Sequence, residues 1–151
     1  PMPASIATTL YNKTGSWRTF KPVRSERVED HTVDPEWVEI GEGAAQAINR
    51  AKQEGRRVVA VGTTTTRALE SAALAGGGAT GPIARPTDLF IYPGFEFRVV
   101  DALLTNFHLP RSSLLMLVCA LAGRELLLAA YHDAIAHRYR FYSYGDAMLI
   151  V

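Results

Sequence analysis

His108 lies in the stretch Leu104-Thr105-Asn106-Phe107-His108-Leu109-Pro110-Arg111, which also offers a hydroxyl, an amide and a guanidinium. Near neutral pH a histidine can exchange a proton, and an arginine can hold an anion through two donors. A packed histidine and a solvated arginine account for the same residues equally well. A second stretch, Val61-Gly62-Thr63-Thr64-Thr65-Thr66-Arg67, reads as a strand-to-helix junction. Its glycine and hydroxyls, with the amides of a helix N-terminus, suit a carboxylate or a phosphate. It is neither a P-loop, which needs a lysine after the second glycine, nor a GxGxxG fingerprint. On pattern alone, N-capping by Thr64 or Thr65 is the plainer reading. A third stretch, Arg138-Tyr139-Arg140-Phe141-Tyr142-Ser143-Tyr144-Gly145-Asp146, interleaves arginines with aromatics. Aromatic faces stack on bases and guanidinium groups take phosphates, but the same side chains can close a core, with Asp146 capping a turn.

These groups need elements to hold them. Ala44, Ala47, Ile48 and Ala51 recur at helical spacing across Glu42 to Glu54, and Gly55 stands as a stop. Arg57 to Val61 reads as a fully buried strand, followed by a helix over Arg67 to Ala75. Gly76 to Pro86 reads as a flexible surface loop. Asp88 to Tyr92 and Glu96 to Val100 read as two strands around a turn at Pro93-Gly94, and Ala102 to Asn106 as a third. Ser112 or Ser113 caps an apolar helix over Leu114 to Ala122, Gly123 interrupts it, and Glu125 to Arg138 continues helical. Ala147 to Val151 closes as an apolar strand. Residues 1–36 read as irregular, with a possible short strand at Thr8 to Tyr11, and residues 37–151 as one α/β domain whose mixed or mostly parallel sheet is flanked by helices.

Bulk composition narrows the classes. With 48% hydrophobic and 21% charged residues the chain is globular in character, which excludes a disordered or collagen-like reading. A net charge of +1 leaves any polyanion to a local basic patch. The single cysteine, Cys119, sits in an apolar run as a small buried hydrophobe and fits a reducing cytoplasm. No 18-residue apolar span occurs, so no membrane association is expected. His132 and His137 are badly spaced for metal and no cysteine cluster exists, so no metal is expected.

Four motifs, in order, resemble the S-adenosylmethionine:tRNA ribosyltransferase-isomerases, the QueA family, from about Arg27 to Ile150. They are Val59-Ala60-Val61-Gly62-Thr63-Thr64 with Arg67 and Leu69-Glu70; Thr87-Asp88-Leu89-Phe90-Ile91-Tyr92-Pro93-Gly94-Phe95; Asp101-Ala102-Leu103-Leu104-Thr105-Asn106-Phe107-His108-Leu109-Pro110; and Arg138-Tyr139-Arg140-Phe141 with Ser143-Tyr144-Gly145-Asp146-Ala147-Met148. The resemblance implies transfer and isomerisation of the ribosyl group of S-adenosylmethionine, a consumed donor, onto 7-aminomethyl-7-deazaguanine at the tRNA wobble position. The products are epoxyqueuosine, adenine and methionine. It also implies an α/β domain that carries a smaller β-barrel, of which this chain matches the carboxy-terminal α/β portion without the barrel. An amino-terminal half, and with it part of a composite site, is then expected to be absent. Tyr11 stands where the family has a histidine, so that position cannot do the histidine's work.

On this reading the Gly62, Thr63, Thr64, Thr65 turn, with Arg67, Thr105 and Asn106, receives the donor's carboxylate or ribose hydroxyls. His108 moves a proton, with Asp101 and Asp146 as alternatives. Tyr92, Phe95 or Phe107 stacks on a base. Arg111, Arg138 and Arg140 take tRNA phosphates. A non-catalytic fragment that binds S-adenosylmethionine or a nucleotide is the alternative.

Overall fold

The computed structural model describes residues 27–143 and 145–151. The strand expected at Thr8 to Tyr11, the Tyr11 substitution and Tyr144 lie outside these residues. After a short 3-10 turn, Val28–Asp30, strand β1 spans Glu36–Ile40, beginning on the last residue of the segment read as irregular. Helix α1, Glu42–Gln53, buries Ala45, Ile48 and Ala51, which lie on one face at helical spacing. Glu42 in its first turn and Arg50 and Lys52 in its last complement the helix dipole.

Strand β2 is Val59–Val61, and helix α2 runs Thr63–Ala75, four residues earlier than its expected start at Arg67. The run of β-branched threonines has low helix propensity and disguises that first turn. Strand β3, Ile83–Thr87, pairs antiparallel with β1 from Glu36 opposite Thr87 to Ile40 opposite Ile83. The loop expected over Gly76 to Pro86 is thus partly a strand, and Pro86 is tolerated because a two-stranded sheet has only edges. The rest of that loop is pinned by Asn49, whose side chain donates to Thr80 O at 2.8 Å and accepts from Thr80 N–H at 2.9 Å.

Strand β4, Ala102–Asn106, lies between β2, to which it is parallel, and β5, Ala147–Ile150, to which it is antiparallel. Helix α3, Ser113–Ala122, starts at Ser112, whose hydroxyl accepts from Leu115 N–H at 3.2 Å, a cap worth about 1 kcal/mol. Gly123, at φ 82°, breaks the run, and helix α4, Arg124–Ala136, leaves at a bend of 114°. The result is one small α/β domain with mixed sheets flanked by helices. Its core gathers Val38 and Ile40 of β1, Leu69 of α2, Leu103 of β4, Leu117 and Val118 of α3, and Leu127 of α4. Cys119 is buried on α3.

Two strand expectations fail for one reason. Residues 88–92 and 96–100 form no ladder, because side chains of α2 take up their backbone polar groups. The carboxylate of Glu70, fully buried, accepts from the N–H groups of Arg98 at 2.9 Å, Val99 at 3.0 Å and Val100 at 2.8 Å. Arg67 Nε donates to Leu89 O at 2.8 Å. The turn at Pro93-Gly94 does form, closed by Phe95 N–H on Tyr92 O at 3.0 Å. Strand β2 is also not fully buried: Ala60 is 1% exposed, but Val59 and Val61 are 53% and 65% exposed.

Candidate functional site

Parallel pairing of β2 with β4 sets their carboxyl ends side by side. Gly62 N–H extends the ladder by donating to Leu104 O at 2.8 Å, so the Gly62–Thr65 turn adjoins Thr105 and Asn106. Gly62 holds φ 89°, a backbone turn that side chains disfavour, and serves as N-cap of α2 without a side-chain cap bond. Its carbonyl accepts from both the N–H and the hydroxyl of Thr66 at 3.2 Å. Thr64 and Thr65 are half-buried, Thr63 is buried, and the first amides of α2 have no acceptor within the helix. The expected capping by Thr64 or Thr65 is therefore replaced by the glycine.

Beyond β4 the chain turns so that Thr105 Oγ1 and His108 Nε2 are 2.9 Å apart, both residues buried. His108 N–H donates to Tyr131 Oη of α4 at 2.8 Å. Burial lowers the imidazole from 6.5 to about 4, so at neutral pH the ring is uncharged, with a lone pair available. Burial likewise pushes the Tyr131 phenol up to about 12, keeping it protonated. The contact of Tyr131 with the His108 backbone is not foreseen from the sequence. Its only signal was an aromatic on the inward face of an apolar helix, which packing explains as well.

Residues 138–143 and 145–146 close over the same end. Tyr142 N–H donates to Phe107 O at 2.7 Å, and Asn106 Nδ2 donates to Asp146 O at 3.1 Å. Arg140 clamps Asp146 through Nε to Oδ2 at 3.1 Å and Nη2 to Oδ1 at 3.2 Å, and its own N–H also donates to Oδ2. That hydrogen bonding holds the Asp146 carboxyl below its usual range and raises Arg140, which makes Asp146 a poor proton acceptor while the clamp persists. Arg111, Arg138 and Tyr142 adopt φ of 57°, 61° and 66°, a conformation uncommon outside glycine, and all three are exposed.

The remaining candidates are placed elsewhere. Asp101 is at the opposite end of β4, where Oδ1 meets Lys52 Nζ at 2.7 Å and Oδ2 accepts from Val58 N–H at 2.8 Å. It joins the starts of β2 and β4 to the end of α1. Arg67 is buried, paired with Glu36 at 2.9 Å, and bound to the 87–89 backbone. Phe107 is 4% exposed and its ring contacts Tyr131, Tyr139 and Phe141 at centroid distances of 5.2–5.7 Å, so it supports the segment from inside. Tyr92 packs at a tilt against Phe90 and Phe95 packs edge-on to Phe97; both are half-buried in the segment held by α2. The sequence shows Glu70 only as a motif residue, a lone carboxylate among Ala, Leu and Ser on a helix. No group of three or more His, Cys, Asp or Glu among the described residues is arranged to hold a metal ion.

Comparison with known proteins gives a consistent result. The family described as Queuosine biosynthesis protein matches residues 7–150. An S-adenosylmethionine:tRNA ribosyltransferase-isomerase of Aquifex aeolicus is 59% identical over 136 residues, which is 90% of this chain and 39% of that protein. One from Carboxydothermus hydrogenoformans is 57% identical over 133 residues, 88% of this chain and again 39% of the relative. The crystal structure of S-adenosylmethionine tRNA ribosyltransferase from Thermotoga maritima superposes with a TM-score of 0.71 at 50% identity, covering 77% of this chain and 40% of that one. The chain thus spans about two-fifths of the length of the relatives it matches.

Proposed function

Because the chain belongs to the family of queuosine biosynthesis proteins, we propose that it carries the carboxy-terminal part of a ribosyltransferase-isomerase site. Its reaction transfers and isomerises the ribosyl group of S-adenosylmethionine onto 7-aminomethyl-7-deazaguanine at the wobble position of tRNA. Epoxyqueuosine forms, adenine and methionine leave, and the work is done in the cytoplasm. The observation that carries this reading is the meeting of the Gly62–Thr65 turn with Thr105–His108 at the carboxyl ends of parallel strands, the position where α/β sheets hold ligands.

In this proposal the first amides of α2, with the hydroxyls of Thr64 and Thr65, receive the donor's carboxylate or ribose hydroxyls. His108 accepts the acidic proton beside the sulfonium. Its low intrinsic basicity is raised when the donor's carboxylate binds nearby, since a neighbouring anion favours imidazolium. Thr105 and Tyr131 fix the ring and its backbone. Asp146, clamped by Arg140, holds that residue in place and is the weaker base candidate. Arg111 and Arg138, exposed at this end, take tRNA phosphates together with Arg140. Tyr92 or Phe95 remains the candidate for base stacking, whereas Arg67 and Asp101 serve the fold.

The test is adenine release, followed by mass spectrometry, when the chain is incubated with S-adenosylmethionine and tRNA bearing the aminomethyl-deazaguanine base. A tRNA-free sample is the control. Release dependent on the modified tRNA, with a matching mass gain on the wobble nucleoside, supports catalysis; a His108→Ala protein that kept full turnover would remove His108 from it. The relatives' greater length favours a second reading, a fragment that binds S-adenosylmethionine without turning it over. Binding by calorimetry with no adenine released identifies that case.

A further inference from the structure

The aromatic residues at the Asn106 end differ in how they are held. Phe107, Tyr131 and Phe141 meet one another at centroid distances of 5.2–5.4 Å, and Tyr139 packs at a T-shaped angle against Phe107 at 5.7 Å. Tyr142 stands outside this cluster: its ring meets no other ring among the described residues, and it is 39% exposed. Its position is nonetheless fixed. Its N–H donates to Phe107 O at 2.7 Å, one residue before His108. The preceding Phe141 is anchored in the ring cluster, and Arg140 before it is clamped to Asp146 at 3.1 and 3.2 Å. The backbone of Tyr142 sits at φ 66°, an outlier for a bulky side chain that persists only where the surroundings enforce it. An exposed ring returns little packing energy against that strain, and a glycine would make the same turn without it.

Free cations accompany it. Arg140 is spent on Asp146, but Arg138 and Arg111 are exposed and have no carboxylate partner among the described residues. An exposed aromatic face beside unpaired guanidinium groups is how proteins hold single-stranded RNA, with bases stacked on the ring and phosphates on the cations. We propose that the Tyr142 ring stacks on an unpaired base of the tRNA loop, flanking the nucleotide presented to His108. The proposal rests on the tRNA reading given above and assigns to it a side chain which that reading leaves unused. In a duplex the faces of each base are already covered by its neighbours, so the contact requires a loop.

The test is fluorescence anisotropy at low salt with a labelled RNA hairpin that carries a single-stranded loop, and with a continuous RNA duplex of the same stem sequence. Tyr142→Ala is expected to weaken hairpin binding about 5- to 100-fold, to spare duplex binding, and to leave the slope of log affinity against log salt unchanged. Tyr142→Phe, which keeps the ring, is expected to bind as the unsubstituted chain does. Arg138→Gln should instead lower the salt slope by about one on both RNAs. Tyr142→Gly is expected to lose hairpin affinity as the alanine variant does, while its unfolding midpoint holds or rises because the left-handed turn is relieved of strain. A midpoint lower by about 5 °C or more in Tyr142→Gly would make the ring's role structural and overturn the proposal. So would hairpin binding that Tyr142→Ala leaves unchanged. If Tyr142→Ala weakens S-adenosylmethionine binding in calorimetry and spares the hairpin, the stacked base is the donor's adenine, and the proposal falls while the reading of the site survives. An unsubstituted chain that binds neither RNA removes the tRNA reading and the proposal together.

Discussion

The two ends of strand β4 use polar side chains in opposite ways. At the Asp101 end, and along the buried flank of α2 beside it, the motif's charged groups are committed: Asp101 to Lys52 and Val58, Glu70 to three amides, Arg67 to Glu36 and two carbonyls. At the Asn106 end the first amides of α2 have no acceptor within the helix, His108 keeps an uncharged ring, and Arg111, Arg138 and Tyr142 hold an uncommon backbone conformation while exposed. Both ends carry residues of the family motifs. Membership in a motif therefore does not separate chemistry from architecture; the fate of each side chain's hydrogen bonds does.

Removing the most committed group should cost most. Glu70→Ala leaves three amides without an acceptor, those of Val99 and Val100 buried, and urea unfolding is expected to show a loss of about 2–5 kcal/mol. A loss below 1 kcal/mol would break the contrast at its strongest point.

Next comes the pH response of the open end. His108 is lowered in the fold from 6.5 to about 4, so between these values the unfolded chain binds more protons and stability falls as pH falls. That window should cost about 3 kcal/mol, all of it present above pH 6.5. His108→Gln should flatten the slope, which denaturation at several pH values measures directly.

Arg67→Met strands Glu36 and releases the 87–89 carbonyls, with an expected cost of about 2–4 kcal/mol. Faster hydrogen exchange in β3 and in the backbone beside Leu89 should accompany it. Smallest is Asp101→Asn, which keeps an acceptor for Val58 N–H and loses only a half-exposed pair with Lys52, for about 1 kcal/mol or less. If the chain turns over, Asp101→Asn should leave the rate nearly intact while His108→Ala abolishes it; the reverse result would exchange the two ends.

Much of this fold follows from local signals. Apolar spacing locates α1 and α4, the Ser112 cap and Gly123 delimit α3, and the Ala102–Asn106 run is β4 to the residue. The Gly62 junction and the His108 stretch were recognisable as candidates because glycine, hydroxyl and imidazole residues at the ends of apolar strands already say where ligands can sit. Residues 88–100 were not legible in the same way. Their apolar runs on either side of Pro93-Gly94 read as two strands, and nothing nearby in the chain reveals that Glu70, 28 to 30 residues earlier, captures amides of the second instead.

The same limit applies to the site. Sequence determined which residue types were available and, through periodicity over a turn or two, which elements carry them. Tertiary structure alone decided that Asp101 and Arg67 are spent on the backbone, that Phe107 faces inward, and that Tyr131 fixes the His108 segment. A side chain's preference for helix or strand is set by its near neighbours. The donor or acceptor that satisfies it is chosen among groups distant in the chain, and that choice exists only once the chain has folded.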